Sequence, residues 1–213
     1  MPRERRELVR GSMGLERKKI FVLAYEGNVT EPSYFETLKA NSVVFSDQCV
    51  YLHSLKRPKY DTKSSPNHVF GALKKCKNDF EFQPGDEFWM IIDTDKWNIA
   101  EVNQWIKSEK GMYLAVSNPC FEIWLLMHKI DFNAISKDDS DKLLTNDYVG
   151  DERYIKKKLT DLVGNYEDPL VIKNIQNHIY YAIEQAKKMS KTGAEYPTQL
   201  GSDVYKLVRK LVV

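Results

Sequence analysis

Three places in the chain put carboxylates where an apolar run gives out. Glu26-Gly27 follows Lys19–Tyr25 (KIFVLAY), and Asp93-Thr94-Asp95 follows Phe88–Ile92 (FWMII). Glu122 comes shortly after Met112–Val116 (MYLAV) and the turn Ser117-Asn118-Pro119. Carboxylates drawn together repel one another unless positive charge stands among them. A hard divalent cation such as Mg²⁺ or Mn²⁺ takes oxygen ligands of this kind. Asp-x-Asp at a strand end turns two carboxylates the same way, because alternate residues share a face. A cation held there polarises a phosphoryl oxygen, lowers the pKa of a bound water and steadies the leaving oxygen. Gly27, with no side chain, leaves the backbone open to an approaching phosphate. The expected chemistry is therefore attack by water on a phosphate ester. Glu26, Asp93 and Asp95 would hold the metal, with Glu122 assisting. Each motif also has a plainer reading: Glu-Gly is a common strand end, and Asp-x-Asp a common turn or cap. The combination is what favours a site.

The elements that must position these acids can be read from periodicity. Apolar runs at Lys19–Tyr25, 49–55, Phe88–Ile92 and Met112–Val116 read as strands. Helical patterns lie between them. One, capped by Thr30, runs through Tyr34, Phe35 and Leu38; a second runs from Pro66 to near Asn78. A third spans Ile99–Glu109 and stops at Gly111, and a fourth spans Phe121–Lys129. Strands that are apolar throughout and alternate with helices predict an α/β fold: a four-stranded, mainly parallel sheet flanked by helices. Right-handed crossovers set the carboxyl ends of the strands on one edge, where open sheets bind ligands. That edge is what would gather Glu26, Asp93, Asp95 and Glu122. After Asp131 the chain turns polar and reads as loop, followed by helical patterns at about 152–163, 168–190 and 202–213. The expected organisation is a charged arm over 1–18, an α/β core over 19–130, and a helical extension over 131–213 packed on the core.

A chain of 213 residues is long enough for one well-formed core. Its net charge of +2 argues against coating nucleic acid by bulk charge, while allowing a local basic groove. Lys156–Lys158, the set Lys187, Lys188 and Lys191, and the set Lys206, Arg209 and Lys210 are candidate backbone contacts, though each taken singly reads more readily as a solvated helix face. Lys56–Tyr60 is a basic loop with an aromatic residue. The three cysteines, Cys49, Cys76 and Cys120, form no CxxC pair and read as reduced thiols of a cytoplasmic protein, with Cys120 a small packing residue. The first residues lack the apolar stretch of a signal peptide, and no apolar run approaches a membrane span. His128 lies six residues beyond Glu122, off the i,i+4 spacing of helical metal ligands, and reads as a structural histidine or one aiding phosphate contact.

The segments Glu26–Phe35 (EGNVTEPSYF), Asp93-Thr94-Asp95 and Ser117–His128 (SNPCFEIWLLMH) resemble the RloB family, found beside type I restriction–modification and phage-defence loci. Tyr154–Lys157 and Tyr196-Pro197-Thr198 carry the same likeness, which covers roughly residues 18–213. More broadly, Glu-Gly after the first strand and Asp-x-Asp after the third resemble the Toprim fold of topoisomerases, bacterial primases and OLD-type nucleases. The resemblance implies a Mg²⁺- or Mn²⁺-dependent nuclease cutting phosphodiester bonds in DNA or RNA, in phage defence or abortive infection. It implies Glu26 as metal ligand or general acid/base, and Asp93 and Asp95 as ligands. It also implies Glu31 as the second acid of OLD-type sites, and Ser117 and Glu122 as their later Ser/Glu element. A lysine near the site is implied too; Lys156, Lys157 and Lys158 are the candidates, and Lys157 is chosen. The loop spacing departs from the OLD pattern at Glu31 and at the lysine. Expected partners are a nucleic acid substrate, a separate ATPase or other defence-system protein, and a second copy in a homo-oligomer, with no membrane.

Two other readings stay open. A haloacid-dehalogenase-like phosphatase also uses Asp-x-Asp, but after its first strand and with the first Asp as nucleophile; Glu26-Gly27 would go unexplained. A non-catalytic module binding nucleic acid or a protein within a defence complex would bind metal without turnover.

Overall fold

The run Lys19–Tyr25 forms strand β1, and every side chain from Ile20 to Tyr25 is buried, as a strand covered on both faces requires. A computed structural model describes residues 18–46, 50–55, 65–94, 97–190 and 193–212. The elements that follow are α1 (Thr30–Ala40), β2 (Val50–Ser54), α2 (Pro66–Asp79), β3 (Glu87–Asp93), α3 (Ile99–Lys107), β4 (Met112–Asn118) and α4 (Glu122–Leu126). Beyond them lie α5 (Lys137–Thr145), β5 (Tyr148–Val149), β6 (Glu152–Arg153), α6 (Tyr154–Val163), α7 (Pro169–Gln176), α8 (Ile179–Met189), β7 (Gly201–Ser202) and α9 (Val204–Leu211). Asp95, the loop Lys56–Tyr60, Cys49, Lys191 and the expected arm (apart from Lys18) lie outside the described residues.

The sheet runs in the order β2-β1-β3-β4-β7. The first four strands pair in parallel, as the alternation of strands and helices predicts. The fifth, β7, is a correction to the four-stranded expectation: it pairs antiparallel with β4 through Ser117–Ser202 and Asn118–Gly201. Two residues carry no readable period.

The two-residue repeat of the strands divides the interior into two layers. Phe21, Leu23, Tyr25, Trp89 and Ile91 join the core beneath α1, α4 and the later helices. Ile20, Val22, Ala24, Phe88, Met90 and Ile92 meet α2 and α3 on the other face. Ile155, Leu159, Ile172, Ile179, Leu207 and Val208 belong to the first layer, so the C-terminal helices share a core with the sheet.

Local differences have local causes. Thr30 is the first residue of α1 and not its cap; Val29 stands at the cap position, with no side-chain bond. The polar stretch expected to be loop contains α5, whose N-cap Ser136 accepts from the Asp139 N–H and which buries only Leu143. Capping holds it where an apolar stripe is missing. The single pattern at 168–190 is two helices, α7 and α8, broken at Asn177-His178.

Gln185 on α8 fixes the chain after α4. Its Nε2 donates to the Met127 and Ile130 carbonyls at 2.8 and 2.5 Å, and its Oε1 accepts from the Phe132 N–H at 2.6 Å, all at a buried position. Gln185→Leu leaves three main-chain groups unpaired and is expected to cost about 2–4 kcal/mol. Urea unfolding should show a lower midpoint with an unchanged slope; an unchanged midpoint would show that the network contributes nothing.

Candidate functional site

Asp93 is the last residue of β3 and has the parity of Trp89 and Ile91, so it faces the layer that holds α1 and α4. Glu31 lies in the first turn of α1, and Glu122 begins α4. Glu26 continues the pairing of β1 by one bond, its N–H donating to the Ile91 carbonyl at 3.0 Å. Three stretches distant in sequence, holding Glu26 and Glu31, Asp93, and Glu122, thus converge on the carboxyl edge of the sheet.

Both oxygens of Glu26 are held. The Asp93 N–H donates to Oε2 at 3.2 Å, and the Trp97 Nε1–H donates to Oε1 at 2.8 Å. Glu31 accepts from the Gly27 N–H at 3.0 Å. A Cβ on residue 27 would stand 2.1 Å from Glu31 Oε2, so a carboxylate occupies the space the missing side chain leaves. Gly27 therefore admits Glu31, where sequence reasoning reserved that space for phosphate. Thr94 ties the strand ends together: its N–H donates to the Ser117 carbonyl at 3.0 Å and its Oγ1 to Asn118 Oδ1 at 2.9 Å.

The electrostatics record the crowding. Glu31 is 6 % exposed, and its carboxyl is raised to about 7 by burial, then by the charges of Glu122 and Glu26. The N–H groups of Glu31 itself and Gly27 oppose that rise. Asp93 is pushed well above the usual carboxylate range by burial and by Glu31, Glu122 and Glu26, against an N–H donated by Phe121. Burial, and then Glu122 and Asp93, raise the Cys120 thiol, so it stays protonated and is no nucleophile at neutral pH.

One cation faces these acids among the described residues. Lys156 Nζ stands 3.5 Å from Glu122 Oε1, and Glu122 is the main cause of its raised pKa. Lys157, the residue chosen from the sequence, is exposed on α6 and makes no ion pair there. Ser117 is fully buried, with its hydroxyl 2.8 Å from that of Ser202. His128 is structural, as its spacing suggests: its Nδ1 bonds the Trp124 carbonyl at 2.8 Å and its Nε2 the Tyr34 hydroxyl at 3.2 Å. Burial lowers it to about 3 and keeps it neutral. Trp97 carried no sequence signal, because its bond to Glu26 spans 71 residues.

Among the described residues no three His, Cys, Asp or Glu side chains are placed so that together they could hold a metal ion, and Asp95 lies outside them. The donors that do converge are all carboxylate oxygens, in excess of the cation beside them. That chemistry fits a hard divalent ion and not a soft one.

A family model described as RloB-like protein matches residues 21–211, a span that holds all of these acids. No curated protein and no solved structure matches the chain.

Proposed function

The chain belongs to the RloB-like family, and from that premise we propose that it is a Mg²⁺- or Mn²⁺-dependent nuclease of Toprim type, hydrolysing phosphodiester bonds in nucleic acid as part of phage defence. One observation carries the reading. Glu26, Glu31, Asp93 and Glu122 meet at the ligand-binding edge of a parallel sheet, where burial and mutual repulsion hold Glu31 and Asp93 above their ordinary pKa. A protein keeps such a cluster at a cost in stability, which a bound cation offsets.

Asp93, Glu26, Glu31 and Glu122 would hold the ion, with Asp95 as a further ligand expected from the sequence. When bound, the ion supplies Lewis-acid polarisation of a phosphoryl oxygen and an activated water. The remaining work belongs to the chain. Two N–H donors fix the plane of Glu26 at the strand end, and Glu26 would accept and return the proton of an attacking water. Phe121, next to Glu122 in the chain, and Tyr166, near enough to feel its charge, are both buried and limit bulk water around it. Lys156 supplies a positive charge toward the phosphate oxygens.

The direct test is a cleavage screen with Mg²⁺, Mn²⁺ or EDTA against plasmid, single-stranded DNA, tRNA and total RNA. Cleavage of at least one substrate that EDTA abolishes is the expected result. Metal binding without turnover on any substrate would instead support the non-catalytic module, and turnover of small phosphate esters alone would support a phosphatase. Within an active preparation, Lys156→Met is expected to lower the rate about 10- to 100-fold, with Lys157→Met near wild type. Equal initial rates for the two variants would remove Lys156 from the site.

A further inference from the structure

The hairpin β5–β6 presents an aromatic ring and a guanidinium beside the acidic edge, and the function proposed so far uses neither. Tyr148 and Arg153 are cross-strand partners. The guanidinium lies 4.3 Å from the ring centroid, and its Nη1 donates to the Asn146 carbonyl at 3.2 Å. Tyr148 is nonetheless 65 % exposed, so its other face is open to solvent.

The hairpin's position is set by Asn146, which ends α5 with a left-handed φ of 48°. Its Oδ1 accepts from the Ile155 N–H at 3.0 Å, and its Nδ2 reaches Cys120 Sγ at 3.9 Å. Cys120 sits two residues before Glu122. Arg153, through Asn146 and Cys120, and Lys156, through Glu122, are therefore both tied to the start of α4.

Charge points to the kind of occupant. Arg153 and Lys158 have no carboxylate partner among the described residues, although Asp151 and Glu152 are close in sequence. Arg153 instead packs on Tyr148, and Lys158 stands 5.6 Å from the Tyr154 ring centroid. Unpaired cations interleaved with aromatic rings match a chain of phosphates carrying flat bases. A base can stack on Tyr148 only if it is not already stacked in a duplex.

We propose that the Tyr148–Arg153 hairpin is a stacking platform for an unpaired nucleotide, which makes single-stranded nucleic acid the substrate class delivered to the acidic edge. This rests on the nuclease reading for its purpose, but its test does not require cleavage. The full chain in EDTA is titrated against fluorescent 12-nucleotide oligo(dT), oligo(U) and a 12-base-pair duplex, read by anisotropy. Wild type is expected to bind single strands more tightly than duplex. Tyr148→Ala should weaken single-strand binding about 10-fold while Tyr148→Trp retains it. Arg153→Ala should weaken it too, with a shallower salt dependence. The two oligonucleotides separate DNA from RNA as the preferred source of the same chemistry. Duplex binding equal to single-strand binding, or an unchanged Tyr148→Ala affinity, overturns the proposal, as does wild-type protein that captures no oligonucleotide. A chain that binds single strands through Tyr148 and cuts nothing keeps this platform and sinks the hydrolase. One that cuts normally as Tyr148→Ala, with unchanged KM, sinks the platform alone.

Discussion

Asp93→Asn is expected to reduce metal-dependent cleavage about 10³-fold or more and, in the same protein, to make the metal-free fold more stable at pH 8. The two effects have opposite signs because they act on different states. For activity, the substitution removes one anionic ligand from the centre of the cluster, and several kcal/mol of charge stabilisation at a phosphate go with it. For stability, Asp93 is a carboxylate surrounded by Glu31, Glu122 and Glu26 and withdrawn from water. An amide of the same shape keeps an oxygen to accept the Phe121 N–H while removing the charge that its neighbours repel. Initial rates with Mg²⁺ and Mn²⁺, beside thermal melts in EDTA, measure both. An undiminished rate would exclude Asp93 from the chemistry. A lower melting temperature at pH 8 would mean that the cluster is already neutralised in the metal-free protein.

Glu31 should also make the metal-free chain lose stability as pH rises from about 4.5 to about 7. In the unfolded chain Glu31 ionises at its ordinary value of 4.5, whereas in the fold it holds its proton to about 7. Between those values the unfolded state has released a proton that the folded state keeps, so increasing pH favours unfolding; above about 7 the loss due to Glu31 is complete. The full effect is on the order of 3 kcal/mol for a residue this buried, or roughly 5–10 °C in melting temperature. Asp93 adds in the same direction. Glu31→Gln, which retains an oxygen for the Gly27 N–H, should flatten the profile. Mg²⁺ added at pH 8 should restore much of the lost stability to wild type and little to the variant. A metal-free stability that rises across this window would contradict the buried, mutually repelling arrangement.

The acids themselves were legible because two simple rules locate them. Apolar runs such as KIFVLAY and FWMII mark buried parallel strands, and parallel strands share a carboxyl edge. Those rules led to Glu26, Asp93 and Glu122. Glu31 needed the family likeness, since nothing in its spacing reveals that a helix turn folds it back onto the Gly27 N–H. The lysine was within reach of periodicity. Ile155 and Leu159 define the buried stripe of α6, which sets Lys156 on its flank and turns Lys157 about 200° away from Ile155. Strand β7 and the donor Trp97 had no such signal. One is too short for a period, and the other acts through a contact that only the assembled fold creates.

The late entry of β7 and α9 into the sheet has a consequence for the chain as it is synthesised. Glu26, Glu31, Asp93 and Glu122 all emerge from the ribosome before residues 201–211. Yet Ser202 closes the edge beside Ser117, and Leu207 and Val208 fill the layer under the face on which the acids stand. Until that segment arrives, the scaffold of the cluster lacks one wall, so the acids are held in place only once it has packed against the sheet. A nascent chain would carry these acids in its sequence while the geometry that gathers them is still missing.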